Sequence, residues 1–170
     1  FTVAHATEGL ARLILKTPGG KERGVAICYD SRNNSKEFAK RAAEVLSADG
    51  IRVYLFPEMR PTPVLSFAIR DLNCIAGINI TASHNPSEYN GYKAYWEDGA
   101  QLPPDHAKTV SEFIAAADIF DDVKLIDFEE GVKSGIIEWL PEEFDERYIK
   151  NVLAEAVNPE VVAKVADDLE

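Results

Sequence analysis

The residues best suited to chemistry lie in a short polar stretch, where the hydroxyl of Ser83 is followed directly by the imidazole of His84. A hydroxyl acts as a nucleophile when a neighbouring base or cation activates it. Cationic side chains occur at Arg32, Arg60 and Lys93, in or next to loops that are expected to converge with this stretch. Several cations around one hydroxyl favour a phosphoryl group over an acyl group, because phosphoryl transfer depends mainly on positioning and charge stabilisation.

Simpler interpretations of the same residues remain open at this point. A serine in a loop is more often a turn residue than a nucleophile, and Asp30 and Arg32 could form an ion pair that only braces their loop. A serine hydrolase would also place a histidine near Ser83, but its nucleophile normally stands in a Gly-x-Ser-x-Gly turn. The stretch 81–85 lacks both glycines, which disfavours a hydrolase.

The pattern of apolar residues predicts strands and helices that alternate along the first part of the chain. Strands are predicted from the continuous apolar run at 24–29 and from the mainly apolar stretches at 51–56 and 74–80, and helices from amphipathic stretches at 3–16, 36–48 and 62–72. The connections between the strands are long enough for parallel crossovers. This pattern predicts an α/β protein with a three-layer α/β/α architecture.

A fourth strand is predicted at 92–96, directly after the turn pair Asn90-Gly91. This pair favours a tight turn, so the strand is expected to pair antiparallel at the edge and to make the sheet mixed but mostly parallel. Ligands of open α/β sheets bind at the carboxyl ends of the parallel strands. The loops at 30–35, 57–61 and 81–92 are therefore the predicted site.

The remaining sequence is less regular. It predicts a helix at 104–117, an acidic irregular stretch at 119–140 with a short strand at 123–128, and a helix at 142–156. We expect residues 1–140 to form one domain, and 141–170 to form a linker helix and the start of a second domain. Because the N-terminal residues suggest a chain that begins inside a helix, we expect the first domain to be N-terminally truncated.

Charge and composition disfavour several classes of partner. The chain has 18 Lys and Arg against 29 Asp and Glu and a net charge of −11, so nucleic acid is not an expected partner. No apolar run approaches the roughly 18 residues that a membrane span needs, so no membrane partner is expected either. Cys28 and Cys74 lie in apolar stretches, which suits reduced thiols in the cytoplasm better than a disulfide.

The string Thr81-Ala82-Ser83-His84-Asn85-Pro86, followed by Asn90-Gly91-Tyr92-Lys93, resembles the phosphoserine loop of the α-D-phosphohexomutases. This family includes phosphoglucomutase and phosphomannomutase. Supporting similarities are Tyr29-Asp30-Ser31-Arg32 after the first strand and Arg60-Pro61-Thr62-Pro63 before the second crossover helix. The resemblance extends over most of the chain and corresponds to the first domain of a multidomain enzyme.

The resemblance implies that Ser83 carries a phosphoryl group in the resting enzyme and donates it to a hydroxyl of a sugar monophosphate. Lys93 and His84 are implied to assist proton transfer around the reacting oxygens. Binding of the substrate or its phosphate is expected from Arg32, Arg60 and Asn85. The implied metal is Mg²⁺, bound by the Ser83 phosphate together with aspartates that this chain does not contain.

The implied enzyme is a phosphoglucomutase-type isomerase, an intramolecular phosphotransferase of carbohydrate metabolism. It would interconvert hexose 1-phosphate and hexose 6-phosphate through a bisphosphate intermediate. The alternatives are a phosphomannomutase, a phosphopentomutase or a non-catalytic domain that binds phosphosugars. The implied partners are a sugar phosphate, a sugar bisphosphate and the remaining domains of the same polypeptide, so this chain alone is expected to be inactive.

Overall fold

The computed structural model describes residues 1–158, 160–161 and 164. The chain divides into two units, Phe1–Leu140 and Pro141–Glu170. The strands of the first unit are β1 at Val25–Tyr29, β2 at Val53–Leu55, β3 at Ala76–Ile80, β4 at Tyr92–Trp96 and β5 at Ile137–Trp139. Its helices are α1 at Thr2–Lys16, α2 at Gly20–Arg23, α3 at Ser35–Ala48, α4 at Thr62–Asp71, α5 at Pro104–Ala116 and α6 at Phe128–Ser134.

The strands form one sheet in the order β4-β3-β1-β2-β5. β1 pairs parallel with both β2 and β3, β2 pairs parallel with β5, and β4 pairs antiparallel with β3. The connection from β1 to β2 moves to one side of the sheet, whereas the connection from β2 to β3 returns past β1 to the other side. Right-handed crossovers in opposite directions place α3 and α4 on opposite faces. The carboxyl ends of β1 and β3 therefore border the crevice where open α/β sheets bind ligands.

The core lies between the sheet and these helices. β1 and β3 are buried along their whole length, because helices cover both of their faces. On one face α3 turns Ala39, Ala42 and Leu46 inward, and α1 packs against α3 and α5. On the other face α4 lies so close to β3 that a Cβ atom at Gly77 would be 2.4 Å from Cδ1 of Ile69.

The predicted α/β class, the three layers and the mixed, mostly parallel sheet are confirmed. The edge strand at 92–96 is antiparallel, as the Asn90-Gly91 pair indicated. The three apolar runs form the central parallel strands, although each strand begins one or two residues later than the run of apolar residues.

The prediction of a short strand at 123–128 is wrong. Residues 123–127 form no regular element, and α6 begins at Phe128 with Asp127 as its N-cap, whose carboxylate accepts from the amide of Glu130 at 3.1 Å. The irregular stretch also contains β5, which the sequence did not predict. Three residues are too few to show a period, and β5 is stabilised by its pairing with β2, more than 80 residues away in the chain.

The described part of the second unit contains α7 at Glu143–Ala154. The expected start of a further domain falls on 159–170, most of which lies outside the described residues. None of the helices in the described part of the chain has the length and apolar character that are needed to cross a membrane.

Candidate active site

The carboxyl ends of β1 and β3 are followed by polar residues that contact each other. Thr81 directly follows β3, and its hydroxyl donates to Oδ2 of Asp30, which directly follows β1, at 2.6 Å. The chain then forms a loop of residues 81–91, here called the serine loop, and returns as β4. This return brings Nζ of Lys93 to 2.5 Å from Oγ of Ser83. The strand pairing thus places a cation and proton donor on a hydroxyl that can act as a nucleophile.

The serine loop is closed at its base by a backbone hydrogen bond and an asparagine. The amide of Thr81 donates to the carbonyl of Gly91 at 3.0 Å, and a Cβ atom at Gly91 would lie 2.7 Å from the carbonyl oxygen of Thr81. Oδ1 of Asn90 accepts from the amide of Gly91 at 2.9 Å. Nδ2 of Asn90 donates to the carbonyl of Asn33 at 3.0 Å and to the hydroxyl of Ser35 at 2.9 Å. Asn90 therefore ties the serine loop to the start of α3.

Arg32 reaches from the loop after β1 to the backbone of the serine loop. Its Nη2 donates to the carbonyl of Ser83 at 2.7 Å. Its Nη1 donates at 2.7, 2.9 and 3.1 Å to the carbonyls of Asn85, Pro86 and Tyr89. These contacts leave the Arg32 side chain only 7% exposed. The binding of a substrate phosphate by Arg32 stays a prediction, while its contacts support a role in holding the loop.

Asp30 orients the guanidinium of Arg32. Its Oδ2 accepts from Nε of Arg32 at 2.8 Å and from the hydroxyl of Thr81, and its Oδ1 accepts from the hydroxyl of Ser35 at 3.3 Å. Burial raises the pKa of the Asp30 carboxyl, but the hydrogen bonds from Thr81 and Arg32 outweigh it, so that the pKa is lowered. Asp30 is therefore ionised at neutral pH, and the ion pair that the sequence left open is present.

His84 and Asn85 are both exposed on the serine loop. The amide of Asn85 donates to the carbonyl of Ala82 at 3.2 Å, which turns the chain around Ser83. Among the described residues, neither the His84 nor the Asn85 side chain has a hydrogen-bond partner. Both side chains are thus available to a ligand, and their roles stay predictions.

Arg60 lies on the neighbouring loop, between β2 and α4. Its amide donates to the carbonyl of Tyr29 at the end of β1 at 3.2 Å, and its Nη1 donates to the carbonyl of Met59 at 2.8 Å. The backbone contact places this loop on the same edge of the sheet as Asp30. The expected binding of phosphate by Arg60 also stays a prediction.

Thr81 and Asn90 hold the site, although their positions in the sequence predict no functional role for either of them. Thr81 is the first residue of the string that carries the family resemblance, and Asn90 precedes a glycine. An asparagine side chain that bonds to nearby backbone is frequent in turns, so Asn90 could have been assigned to the loop base from sequence. The contact from Thr81 to Asp30 spans 51 residues and has no local signal.

Other chemical groups of the chain are poorly placed for catalysis. Among the described residues, no group of three or more His, Cys, Asp or Glu side chains is arranged to hold a metal ion. Cys28 and Cys74 are free and buried. Burial raises the pKa of both thiols, that of Cys74 to about 12. Both therefore stay protonated at neutral pH and are weak nucleophiles.

Comparisons find similar proteins for most of the chain. Residues 1–119 match a family model described as phosphoglucomutase/phosphomannomutase, alpha/beta/alpha domain I. The phosphoglucomutase of Staphylococcus saprophyticus is 39% identical over 152 residues, and the phosphopentomutase of Homo sapiens is 41% identical over 121 residues; these alignments cover 89% and 67% of this chain. A phosphoglucomutase/phosphomannomutase family protein from Burkholderia thailandensis has a solved structure that matches with a TM-score of 0.67. It is 22% identical and covers 91% of this chain and 31% of its own, which supports the fold.

The relatives are much longer than the matched region. The chain spans 27% of the staphylococcal protein and 20% of the human protein. The alignments therefore compare this chain with only a part of each relative.

Proposed function

Because the chain belongs to the phosphoglucomutase/phosphomannomutase family and matches its α/β/α domain I, we propose that it is the phosphoryl-carrying domain of a phosphosugar mutase. The observation that carries this proposal is the 2.5 Å contact between Nζ of Lys93 and Oγ of Ser83. This contact supports a role for Lys93 as proton donor to the atom that would lose and regain the phosphoryl group. The proposed enzyme is of phosphoglucomutase type and interconverts hexose 1-phosphate and hexose 6-phosphate.

In the first half-reaction, the oxygen of a free sugar hydroxyl attacks the phosphorus atom carried by Ser83. The new P–O bond forms as the bond between phosphorus and Oγ breaks, and Lys93 donates a proton to the departing Oγ. The proton of the sugar hydroxyl passes to a base, and we assign this role to the exposed imidazole of His84. The products are a sugar bisphosphate and an unphosphorylated Ser83.

In the second half-reaction, the bisphosphate presents its other phosphoryl group to Ser83. Oγ attacks that phosphorus atom and gives its proton to the now neutral Lys93, while the sugar oxygen departs and takes a proton from His84. The phosphate has then moved between two positions of the sugar, and Ser83, Lys93 and His84 have regained their starting states. No external oxidant, reductant or water is consumed.

Substrate binding by this chain is assigned to the cationic and polar groups beside the serine loop. Arg60 and Asn85 are the candidates whose side chains lie on the same edge of the sheet as Ser83. Arg32 is the third candidate from the sequence; its guanidinium donates to the backbone of the serine loop, and Nη1 of Arg60 donates to the carbonyl of Met59. A sugar phosphate is accordingly expected to need further groups from the remaining domains of the polypeptide.

Mg²⁺ is the proposed metal, but the part of the chain that the structure describes does not form a site for it. No group of three or more metal-binding side chains is present among the described residues, and the carboxylate of Asp30 is occupied by Arg32 and Thr81. Among the described residues, the only ligand for it would be an oxygen of the phosphoryl group on Ser83. The carboxylate ligands are expected from another domain.

The proposed location is the cytoplasm. Two free cysteines that are both buried fit a reducing compartment, and a sugar phosphate is a substrate of intracellular metabolism. The acidic net charge gives no support for nucleic acid as a partner.

Two kinds of alternative remain within the same family. The substrate could be a mannose or pentose phosphate, and one of the similar proteins is named a phosphopentomutase. A non-catalytic domain that binds phosphosugars would need neither a nucleophile nor a proton donor. The contact between Lys93 and Ser83 favours the enzyme.

The test is an assay of the full-length polypeptide that carries this chain. We expect conversion of glucose 1-phosphate to glucose 6-phosphate in the presence of Mg²⁺ and a trace of glucose 1,6-bisphosphate. Mannose 1-phosphate and ribose 1-phosphate, assayed in parallel, rank the alternatives. Peptide mapping by mass spectrometry should locate one phosphate on Ser83. Absence of turnover with all three sugars, together with an unphosphorylated Ser83, would exclude the proposed function.

A further inference from the structure

Ser83 has a backbone conformation that requires support from its surroundings. Its φ angle is 59°, in the left-handed region that residues other than glycine seldom occupy. Such a conformation costs free energy and persists only where neighbouring groups hold it in place. The direction of the Ser83 side chain, and hence its contact with Lys93, depends on this conformation.

Both backbone polar groups of Ser83 are held by side chains. Its amide donates to Oγ1 of Thr81 at 3.1 Å, and its carbonyl accepts from Nη2 of Arg32 at 2.7 Å. The peptide groups before and after Ser83 are therefore each held by a hydrogen bond, and together they determine the orientation of the residue. The side chain is left with its contact to Lys93.

The two supporting side chains converge on a single carboxylate oxygen. Oδ2 of Asp30 accepts from the hydroxyl of Thr81 at 2.6 Å and from Nε of Arg32 at 2.8 Å. The hydroxyl of Thr81 thus donates to Asp30 and is left with its lone pairs to accept from the amide of Ser83. One oxygen atom of Asp30 determines the orientation of both groups that hold Ser83.

The shape of the Arg32 side chain suits this task. A planar guanidinium donates in several fixed directions, and here it contacts Asp30 through Nε and the serine loop through Nη1 and Nη2. A lysine ammonium is a compact charge and cannot span these acceptors in one geometry. Charge alone would therefore not replace the guanidinium.

We propose that Asp30 and Arg32 are positioning residues for phosphoryl transfer: through Thr81 and the serine loop carbonyls they hold Ser83 in its left-handed conformation, with Oγ against Lys93. This inference rests on the proposed function. It assigns to Asp30 and Arg32 no contact with the sugar phosphate, which sets it apart from the sequence-based expectation that Arg32 binds the substrate.

The two assignments differ in their kinetic signature. A positioning residue affects the transition state more than the bound substrate, so its loss lowers kcat with little change in KM. A residue that only binds substrate raises KM when it is lost and leaves kcat unchanged. Misplacement of a reacting atom by about 1 Å is enough to lower the rate about 100-fold.

The experiment compares Arg32→Lys and Asp30→Asn with a matched control, Arg23→Lys, in the full-length polypeptide. Arg23 also donates to two backbone carbonyls, those of Asn73 and Cys74, and it pairs with Glu97. These partners precede β3 and follow β4, at the end of the sheet opposite to the serine loop. Arg23→Lys therefore removes a similar brace without touching Ser83.

Steady-state kinetics with glucose 1-phosphate and hydrogen exchange of the serine loop amides are measured on all three variants. We expect Arg32→Lys and Asp30→Asn to lower kcat about 100-fold, with KM within about threefold of the wild type. We expect the hydrogen-bonded amides of Ser83, Asn85 and Tyr89 to exchange at least about tenfold faster in both variants. Arg23→Lys should leave both kcat and the amide exchange of the serine loop at their wild-type values.

Two outcomes would overturn the inference. A raised KM with an unchanged kcat in Arg32→Lys would assign Arg32 to substrate binding, and unchanged exchange of residues 83–91 in both variants would show that the loop does not depend on the pair. Hydrogen exchange needs no turnover, so it tests the positioning even if the wild-type polypeptide has no mutase activity. A wild-type polypeptide with neither turnover of the three sugars nor phosphate on Ser83 would instead exclude the proposed function.

Discussion

Nζ of Lys93 lies 2.5 Å from Oγ of Ser83, and the register between β3 and β4 determines this distance. Lys93 is the partner of Asn79 across the two antiparallel strands. A shift of the register by one residue would turn Lys93 to the opposite face of the sheet and away from Ser83. The hairpin that closes the edge of the sheet is therefore also the element that assembles the candidate active site.

Replacement of Lys93 by methionine tests its role as a proton donor. Methionine retains an apolar stem of similar length but has neither the charge nor the proton. We expect kcat to fall about 100- to 10,000-fold, the usual size of a general acid–base contribution. Lys133→Met, on the exposed surface of α6, is the control and should keep wild-type kinetics. A raised KM with unchanged kcat would limit Lys93 to substrate binding.

Replacement of Ser83 by alanine tests the nucleophile. Because Ser83 is exposed, we expect the free energy of unfolding to change by about 0.5 kcal/mol or less, while mutase turnover is abolished. Intact-mass analysis should show that the variant lacks the one phosphate of the wild type. Ser87→Ala, on the same exposed loop, should retain both phosphate and activity. Phosphate that remains on Ser83→Ala would place the nucleophile elsewhere.

Gly91→Ala tests the closure of the serine loop. The added Cβ would lie 2.7 Å from the carbonyl oxygen of Thr81, so the backbone that carries Thr81 or Gly91 has to move. We expect a lower melting temperature and a fall in kcat of about tenfold or more, because the loop base also positions Ser83. Gly135→Ala is the control, since Gly135 has a left-handed φ of 78° but no atom near its Cβ position. Gly135→Ala should lower the melting temperature and leave kcat unchanged. If Gly91→Ala had the same kcat as Gly135→Ala, the prediction would be contradicted.

The central part of the fold was predictable because its signals are local. β1 is a continuous apolar run, β3 is apolar except for Asn79, and the Asn90-Gly91 pair indicates the antiparallel return of β4. α6 was missed although Asp127 and Glu130 have the spacing of a helix N-cap. β5 has no such signal, since three residues acquire their conformation from pairing with β2.

The proposed reacting groups of the candidate site can be named from the sequence, whereas the residues that support them cannot. Ser83 and Lys93 follow from the string that carries the family resemblance. The contacts of Arg32 have no such sequence signal. Arg32 binds backbone carbonyls that are more than 50 residues away in the chain, and every residue has a backbone carbonyl. Only the three-dimensional arrangement of the loops after β1 and β3 determines which carbonyls an arginine reaches.

The lowered pKa of Asp30 predicts a pH dependence of stability. A carboxyl whose pKa is lower in the folded state stabilises the fold above its unfolded pKa of about 3.9, and this contribution is lost as the pH falls through the folded value. The difference in unfolding free energy between wild type and Asp30→Asn should therefore be largest near pH 6 and shrink towards pH 3. Denaturant unfolding at several pH values measures it. Asp98→Asn, which removes a loop carboxylate that accepts from the amide of Ala100, is the control for loss of one charge. A constant difference across this range would contradict the prediction.

The 170-residue chain alone should fold but should not catalyse. Its sheet and covering helices bury a continuous core in residues 1–140, which is what independent folding requires. We expect catalysis to need further groups, because the proposed Mg²⁺ would have only the phosphate on Ser83 as a ligand among the described residues and would keep most of its water. The sugar would also lack the remaining domains that orient its hydroxyl, and with them the proximity that favours transfer to sugar over transfer to water.

We expect one cooperative transition in calorimetry and no interconversion of glucose 1-phosphate and glucose 6-phosphate in a coupled assay of the same sample. Turnover that persists after removal of host enzymes, and that is absent from Ser83→Ala, would refute the dependence on other domains. A broad, non-cooperative transition would refute the independence of the core.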